Sequence, residues 1–302
     1  MTVNVNLRHL RYLVTLSESS TFAAAAKAAG ITQSTLSAAI QGLEAEFGHS
    51  LIDRSGRRMQ LLPFGEAMVR RARHILAEIQ ELPEYAAQEI LPLGKHLRLG
   101  VIPSVAPFVL PKLLASLSQS YPALHLRVRE GLTQSLLTEL SSGRLDAAFI
   151  AHVPSLDGIE MVELGKDPFY LAVKRGHPLA ARTQVTKAHL ASEPLLLLDH
   201  GHCLREHAME ALGRDAIAEE NDVRAASLLT LVQLVEAGMG ITLLPKIARE
   251  AAGTAVQLIP YSAPKAVRTL VLVWRKGAVR AEDYRLLAAH IREHCLPDLA
   301  AA

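Results

Sequence analysis

The sequence of 302 residues predicts an α/β protein with a mainly helical segment at its N terminus. Three observations support this prediction. An alanine-rich helical pattern lies within the first thirty residues, Leu-Pro-Leu-Gly at 91–94 breaks the pattern, and short apolar strands alternate with helices after it. Strands and helices that alternate at these spacings predict a parallel sheet with crossover helices.

Near the N terminus, two helical patterns meet at a glycine. Residues 22–29 are rich in alanine, which favours close packing against another helix, and Gly30 stands where that helix must end in a left-handed residue. Thr32 or Ser34 is expected to cap the next helix. The apolar positions of that helix are Leu36, Ile40, Leu43 and Phe47. The pattern predicts a helix-turn-helix, with an ordinary helical hairpin in a globular core as the alternative.

The outer face of the second helix carries short polar side chains. Such side chains let a helix enter the major groove of DNA, and their hydroxyl and amide groups can bond to base edges. The predicted DNA contacts on this face are Thr32, Gln33, Ser34, Thr35, Ser37 and Gln41.

Residues 51–61 predict two short strands around a turn that contains three arginines. A basic hairpin beside a reading helix is a wing, placed so that Arg54, Arg57 and Arg58 contact phosphates or the minor groove. Residues 1–73 hold nine Lys or Arg against five Asp or Glu, which agrees with an anionic partner. A solvated run of surface charge is the alternative interpretation.

These N-terminal residues resemble the winged helix-turn-helix of LysR-type transcriptional regulators. The resemblance rests on the alanine-rich helix, on Leu-Glu-Ala-Glu-Phe-Gly at 43–48 and on Leu-Ile-Asp-Arg at 51–54. Ser34 replaces the usual proline, and Leu-Pro-Phe-Gly at 62–65 replaces a threonine-led helix start. The resemblance implies a winged helix-turn-helix domain that binds double-stranded promoter DNA over residues 1–63, followed by a linker and dimerisation helix over 64–93.

The predicted linker helix, from Phe64 to about Ile90, is amphipathic. Its apolar residues recur at intervals of three or four residues: Met68, Ala72, Ile75, Ile79 and Leu82. A long helix outside a domain usually pairs with a copy of itself, and Pro83 is expected to kink or interrupt it. The family resemblance implies a homodimer and a homotetramer, with RNA polymerase as a candidate partner. From the residues alone, a surface helix in a monomer remains an alternative.

The resemblance implies that residues 94–302 form an effector-sensing domain, a periplasmic-binding-protein-like α/β fold of two subdomains. Subdomain I would comprise about 94–166 and 269–302, and subdomain II about 167–268. Ligands of open α/β sheets bind beyond the carboxyl ends of the strands, so loops 102–107, 131–135 and 199–206 are the predicted pocket walls.

Cys203 is the most distinctive chemical feature of this region. It follows His202, precedes Arg205 by two residues and starts a predicted helix. Cationic neighbours and a helix N terminus favour the thiolate, and a thiolate attacks peroxide to give a sulfenic acid. A buried apolar cysteine is one alternative. A metal site with neighbouring histidines is another, but adjacent His202 and Cys203 cannot easily converge on one ion, so no metal is predicted.

Gly-His-Cys-Leu-Arg at 201–205 resembles the peroxidatic motif of the OxyR-type hydrogen peroxide sensor branch of the LysR family, and residues 100–107 resemble its first pocket loop. The resemblance implies that Cys203 is the redox residue. Ser104 replaces a threonine that is common in that branch. The predicted effector-binding residues are Ser104, Val105, Thr133, His202, Cys203, Arg205 and Arg275.

The sequence departs from that branch at its second cysteine. The resolving cysteine lies nine residues after the first, where this chain has Leu212, and Cys295 is the only other thiol. A disulfide of the family type is therefore excluded. A sulfenic acid, a mixed disulfide with a small thiol, a bond between chains and a Cys203–Cys295 pair all remain. Position 222 is Asp where a pocket histidine aligns.

Three functions follow from these residues. The first is a LysR-type regulator that responds to hydrogen peroxide and oxidative stress, the second is one triggered by a small anionic metabolite, and the third is a thiol enzyme. No nucleophile-and-base set beyond Cys203 supports turnover, so we expect no enzyme and no cofactor.

No apolar run reaches the roughly 20 residues that span a bilayer, and two cysteines suit a reducing compartment, so a cytoplasmic protein without a membrane partner is expected. Target genes and the choice between activation and repression stay open.

Replacing Arg57 and Gln33 by alanine tests the prediction that the wing binds phosphates and the second helix reads bases. Arg57→Ala should weaken binding to every DNA sequence and reduce the slope of log affinity against log salt by about 1, because a phosphate contact is lost. Gln33→Ala should reduce discrimination between sequences, because a base contact is lost. Fluorescence anisotropy on a promoter fragment and on scrambled duplex at several salt concentrations measures both. Equal losses on the two duplexes for both variants would contradict the assignment.

Overall fold

The computed structural model describes residues 5–53, 59–86, 93, 96–154, 157–190, 193–213, 224–263 and 266–299. The wing residues Arg54, Arg57 and Arg58 and the aligned Asp222 lie outside the described residues. The chain forms two compact units, residues 1–89 with 141–144 and residues 90–140 with 145–302.

The first unit contains the predicted helix-turn-helix. Its helices are α1 (Leu7–Ser17), α2 (Phe22–Ala28), α3 (Gln33–Phe47) and α4 (Pro63–Ala86), with a short antiparallel pair of strands, β1 (Ile52–Asp53) and β2 (Gln60–Leu61), before α4. Asn6, Thr21 and Thr32 cap the first three helices, each accepting from a backbone N–H three residues later. Such caps stabilise a helix by about 1 kcal/mol each.

The turn between α2 and α3 has the geometry that the sequence predicts. Gly30 adopts a left-handed conformation with φ of 68°. The N–H of Ile31 donates to the carbonyl of Ala26 at 3.0 Å, which closes the end of α2. Thr32 then caps α3, so the turn has a fixed exit direction.

Helix α4 packs one apolar face against the rest of the first unit and leaves other apolar residues exposed to water. Val69 and Ala72 are buried, whereas Ile75 is 40% and Leu82 62% exposed. Arg73 donates to Ser17 Oγ at 3.2 Å and bonds α4 to the end of α1. The helix continues to Ala86, so Pro83 does not interrupt it, which corrects one of the two outcomes that the sequence predicted there.

The second unit is built on a seven-stranded sheet. Strands β3 (His96–Val101), β4 (His125–Glu130) and β5 (Ala147–Ala151) are parallel, and helices α5 (Ala106–Ser120) and α6 (Thr133–Ser141) connect them. This half is the predicted α/β alternation with crossover helices.

The other half of the sheet is antiparallel, which corrects the prediction of a parallel sheet. The strands concerned are β6 (Ile159–Lys174), β9 (Thr242–Pro245), β10 (Val256–Pro260) and β11 (Val267–Arg275). Strand β11 runs antiparallel to both β5 and β6, and β9 and β10 each run antiparallel to β6. The physical reason is that β6 and β11 are long strands that pass between two cores in opposite directions.

Two hydrophobic cores lie along these strands. One contains residues between 93 and 164 and between 270 and 296, and includes the inner face of α9 (Ala281–Cys295). The other contains residues between 169 and 266, with α7 (Cys203–Leu212), α8 (Leu228–Ala237) and the parallel pair β7 (Leu197–Leu198) and β8 (Arg224–Ala225). None of the helices in the described ranges combines the length and apolarity that crossing a bilayer requires.

A glycine in α4 allows the chain before it to pack closely. A Cβ on Gly65 would lie 2.1 Å from the carbonyl oxygen of Leu51, which is already the acceptor for the N–H of Leu62. Gly65→Ala should therefore destabilise the protein by about 3 kcal/mol, the upper end of overpacking costs, because a backbone oxygen cannot rotate away. Urea unfolding of the full chain, followed by circular dichroism, measures this change.

Gly42→Ala is the matched control. A Cβ at Gly42, inside α3, has no heavy atom within 4 Å, so it should stabilise the helix by up to about 1 kcal/mol. Equal unfolding midpoints for the two variants would contradict the packing argument.

Candidate functional site

Cys203 is the first residue of α7. His202 occupies the N-cap position without a side-chain cap, so the first N–H groups of the helix are not satisfied by that side chain. Cys203 itself is half-buried. The partial positive charge of a helix N terminus stabilises a thiolate placed there.

The Cys203 side chain opens into a small pocket between three segments. Its lining residues are Ile102, Pro103, Ser104, Leu132, Thr133, His202, Cys203 and Leu204, and the empty space among them, open solvent included, is about 170 Å³. The structure thus brings together Ser104, Thr133, His202 and Cys203, four of the residues that the sequence placed in one site. The three segments coincide with the loops that the sequence predicted as pocket walls.

Two hydroxyl groups lie in the wall of this pocket. Ser104 is 3% and Thr133 is 8% exposed. Ser104 Oγ accepts from Arg268, whereas Thr133 Oγ1 has no nitrogen or oxygen partner among the described residues. A buried hydroxyl without a partner costs free energy, so Thr133 is available to donate to a ligand or to the sulfur.

Arg268, which the sequence reasoning missed, supplies a positive charge at this pocket. Its NH1 donates to Ser104 Oγ at 2.7 Å, and its Nε donates to Asp167 Oδ2 at 2.9 Å. Both side chains of the Asp167–Arg268 ion pair are fully buried. The two residues are cross-strand partners in β6 and β11, and this register places the guanidinium beside the pocket.

The structure does not bring Arg275 to the pocket, which corrects the sequence prediction. Arg275 lies seven residues beyond Arg268 on β11, a separation of about 24 Å along an extended strand. Its NH1 donates to the carbonyl oxygens of Leu140 and Leu145 at 2.8 and 3.0 Å. The arginine of β11 that reaches the pocket is Arg268.

Val105 and Arg205 lie beside the pocket and are not among its lining residues. Val105 is fully buried in the first hydrophobic core, where it precedes α5. Arg205 NH1 donates to the carbonyl of Leu198 at 3.1 Å, so its charge is directed to β7.

His207 is the second residue that sequence reasoning did not assign to the redox site. It lies one turn after Cys203 in α7, and a spacing of four residues on a helix was the available signal. Its Nδ1 is 2.7 Å from the carbonyl oxygen of Cys203, and its Nε2 is 3.3 Å from the carbonyl oxygen of His152.

The net effect of these neighbours is to lower the pKa of Cys203. Burial alone would raise that pKa, but hydrogen bonds from His207 and Thr133 and the charges of Arg268 and His207 outweigh burial. The pKa of His207 is raised: burial opposes this, and the hydrogen bond to Cys203 and its negative charge prevail. Burial lowers the pKa of His202 despite the nearby carboxylates of Asp199 and Glu130. The geometry favours a thiolate paired with a charged His207.

Cys295 has the opposite environment. It is buried in the first core at the end of α9, and burial raises its pKa to about 11, opposed by Lys112 and Ser116. Leu212, at the position of the resolving cysteine, is 2% exposed in the second core. Of the two thiols, Cys203 therefore has the environment that favours the thiolate.

In the first unit, α3 presents the residues predicted to contact DNA. Gln33, Ser34, Thr35 and Gln41 are exposed, and Ser37 is half-buried. Thr32 is exposed, but its hydroxyl accepts from the N–H of Thr35 at 3.2 Å as the helix cap. The amides of Gln33 and Gln41 are the longest polar side chains on this surface. No grouping of three His, Cys, Asp or Glu side chains suited to a metal ion occurs among the described residues.

Both halves of the chain match models of one protein family. Residues 7–66 match the bacterial regulatory helix-turn-helix protein model of the lysR family, and residues 92–296 match the LysR substrate binding domain. Among curated proteins, the probable hydrogen peroxide-inducible genes activator of Mycobacterium avium is 41% identical over 287 residues, which cover 94% of this chain and 92% of that protein.

Two solved structures extend this similarity to the fold. A full-length OxyR from Pseudomonas aeruginosa that carries a cysteine substitution has a TM-score of 0.71 at 31% identity, covering 96% of this chain and 95% of its own. An H₂O₂-bound cysteine mutant of Corynebacterium glutamicum OxyR has a TM-score of 0.64 at 31% identity, covering 96% and 92%. The similarity therefore includes both units.

Thr133→Val should raise the pKa of Cys203 and slow its reaction with peroxide, because the hydroxyl that faces the sulfur is lost while the side-chain shape is kept. Thiolate absorbance against pH and the rate of thiol loss measure the two effects. Thr138→Val is the matched control, since Thr138 is exposed on the same helix. Identical titration curves for the two variants would show that Thr133 does not act on the sulfur.

Proposed function

Because this chain belongs to the LysR family of bacterial transcription regulators, we propose that it converts the oxidation of Cys203 by hydrogen peroxide into a change in promoter binding. The relatives named above are peroxide-inducible gene activators and OxyR proteins. The observation that carries the proposal is a thiol of lowered pKa at a pocket lined by two hydroxyls. The family models matched are those of regulators, which favours a sensory rather than a turnover role for this thiol.

The chemistry follows from the arrangement of the pocket. The thiolate of Cys203 attacks one peroxide oxygen, the O–O bond breaks, and the sulfur becomes a sulfenic acid while hydroxide leaves. Thr133 and Ser104 can hydrogen-bond the two peroxide oxygens, and Arg268 donates to Ser104 and orients its hydroxyl. These contacts would place the reacting oxygen at the sulfur.

The size of the pocket favours peroxide over a metabolite. Sites for organic ligands usually enclose roughly 300–1,000 Å³, whereas the lining residues of this pocket leave no space between them for a water-sized sphere. Peroxide, with two heavy atoms, would need the smaller displacement of these side chains.

The oxidised product should remain a sulfenic acid in the isolated protein. Cys295 lies near Lys112 and Ser116 of α5, whereas Cys203 lies near Ser104, before the start of that helix. Ser116 is ten residues into α5, which places it about 15 Å along the helix from its start. A disulfide requires Cα atoms within about 7 Å, so we do not propose a Cys203–Cys295 bond.

The DNA-binding role would belong to the first unit. We propose that Gln33 and Gln41 of α3 read bases, that Thr35 and Ser37 support them, and that the wing arginines bind phosphates. The exposed Ile75 and Leu82 of α4 support pairing with a second copy, so a homodimer reading two half-sites is the proposed assembly. A tetramer of two such dimers and contact with RNA polymerase are further proposals. A protein that regulates promoters must reach the bacterial chromosome, so we propose a cytoplasmic location.

Cys203→Ser should abolish the response to peroxide, because serine cannot form a sulfenic acid. The measurement is binding to a promoter fragment, by anisotropy, before and after one equivalent of hydrogen peroxide. The wild type should change its affinity, and Cys203→Ser should not.

Cys295→Ala is the control and should respond like the wild type, since Cys295 is buried with a raised pKa. A response that persists in Cys203→Ser would overturn the thiol mechanism. An unchanged affinity in every protein would overturn peroxide as the signal.

A further inference from the structure

Both ring nitrogens of His207 face carbonyl oxygens. Nδ1 lies 2.7 Å from the oxygen of Cys203 and Nε2 lies 3.3 Å from the oxygen of His152. A carbonyl oxygen can only accept a hydrogen bond, and a neutral imidazole has one N–H donor. Two such contacts are satisfied together only when the ring carries both protons. The two contacts together favour the imidazolium form while Cys203 is reduced.

The charges around His207 support the same form. The Cys203 thiolate is its negative neighbour, and Arg268 is a positive neighbour that opposes protonation. The Asp167 carboxylate forms a buried ion pair with Arg268 and balances that charge. His207 thus depends on the thiolate as its counter-ion.

We propose that His207 gives a proton to the hydroxide that leaves peroxide, and that the loss of this proton breaks the hydrogen bond from His207 to His152. His207 would then report the oxidation of Cys203 without a second cysteine. This inference rests on the proposed function, because it needs peroxide to react at Cys203.

The step balances in atoms, charge and electrons. The thiolate and one peroxide oxygen form the S–O bond, the O–O bond breaks, and the leaving hydroxide takes one ring proton from His207 to become water. The products are Cys203 sulfenic acid, neutral His207 and water. Sulfur is oxidised by two electrons, peroxide is reduced by two, and no proton is exchanged with the solution.

The geometry determines which contact is lost. The remaining proton stays on Nδ1, where the hydrogen bond is shorter, so the lone pair of Nε2 faces the carbonyl oxygen of His152. These two groups repel. His152 follows β5, and its own N–H donates to the carbonyl of Thr269 in β11 at 2.8 Å. Oxidation would therefore release α7 from the segment that continues from β5 toward β6.

The first test follows His207 directly in the wild-type protein. Its ¹⁵N ring signals, assigned by their absence in His207→Gln, should show the imidazolium pattern when Cys203 is reduced. They should change to the neutral pattern, with the proton on Nδ1, after one equivalent of hydrogen peroxide. An imidazolium pattern that persists after oxidation would overturn the proposal, since the product would then be a sulfenate beside a charged histidine. A neutral pattern before oxidation would overturn it as well.

The second test uses His207→Gln, which keeps an amide donor and removes the proton that titrates. We expect its reaction with peroxide to slow on the order of 100-fold, the lower end of general acid catalysis, and its thiolate titration to move to higher pH. The matched control is His200→Gln, because His200 is exposed three residues before Cys203. It should keep the wild-type rate and titration.

The promoter assay separates this inference from the proposed function. His207→Gln, oxidised to completion by longer exposure and checked by mass, should keep the promoter affinity of its reduced form. A full wild-type response in that variant would overturn the role of His207 and leave the proposed function intact. A response in Cys203→Ser would overturn the proposed function itself.

Discussion

The buried ion pair between Asp167 and Arg268 organises the second unit. The two charges lie on β6 and β11, the strands that pass between its two cores, and neither is exposed. Buried charges persist only when further hydrogen bonds satisfy them: Arg268 donates to Ser104, and Asp167 accepts from the N–H of Ile247 at 3.0 Å. The same guanidinium lowers the pKa of Cys203. One buried positive charge thus links the pairing of β6 with β11 to the pKa of the thiol.

The polar side chains around Cys203 carry oxygen and nitrogen atoms, and the position of the resolving cysteine holds no sulfur. Leu212, where a resolving cysteine would stand, is packed in the second core at the end of α7. A cysteine at position 212 would have to leave this core to form a disulfide, whereas Cys203 is only half-buried and lines the pocket. The proposed loss of one proton from His207 is a small change, but it removes a hydrogen bond between α7 and the segment after β5.

Much of this protein could be predicted from its sequence because the relevant signals are local. The cap at Thr32 and the left-handed Gly30 specify the turn between α2 and α3 through contacts within a few residues. Ser104 and Thr133 follow the parallel strands β3 and β4, whose carboxyl ends lie at one edge of the sheet, whereas Cys203 follows β7 of a separate pair of strands and was placed with them by the family resemblance. Pro83, by contrast, does not end α4, because a helix can continue through one missing donor.

By itself, the sequence determined the helix-turn-helix, the alternating strands and helices, and a thiol at a helix N terminus. Periodicity, caps and short motifs encode these features over a few residues. Only the tertiary structure decided that Arg268 and not Arg275 serves the pocket, that half of the sheet is antiparallel, and that His207 faces two carbonyl oxygens. These features depend on the pairing of β6 with β11 and of α7 with the end of β5, which join residues tens to about a hundred positions apart.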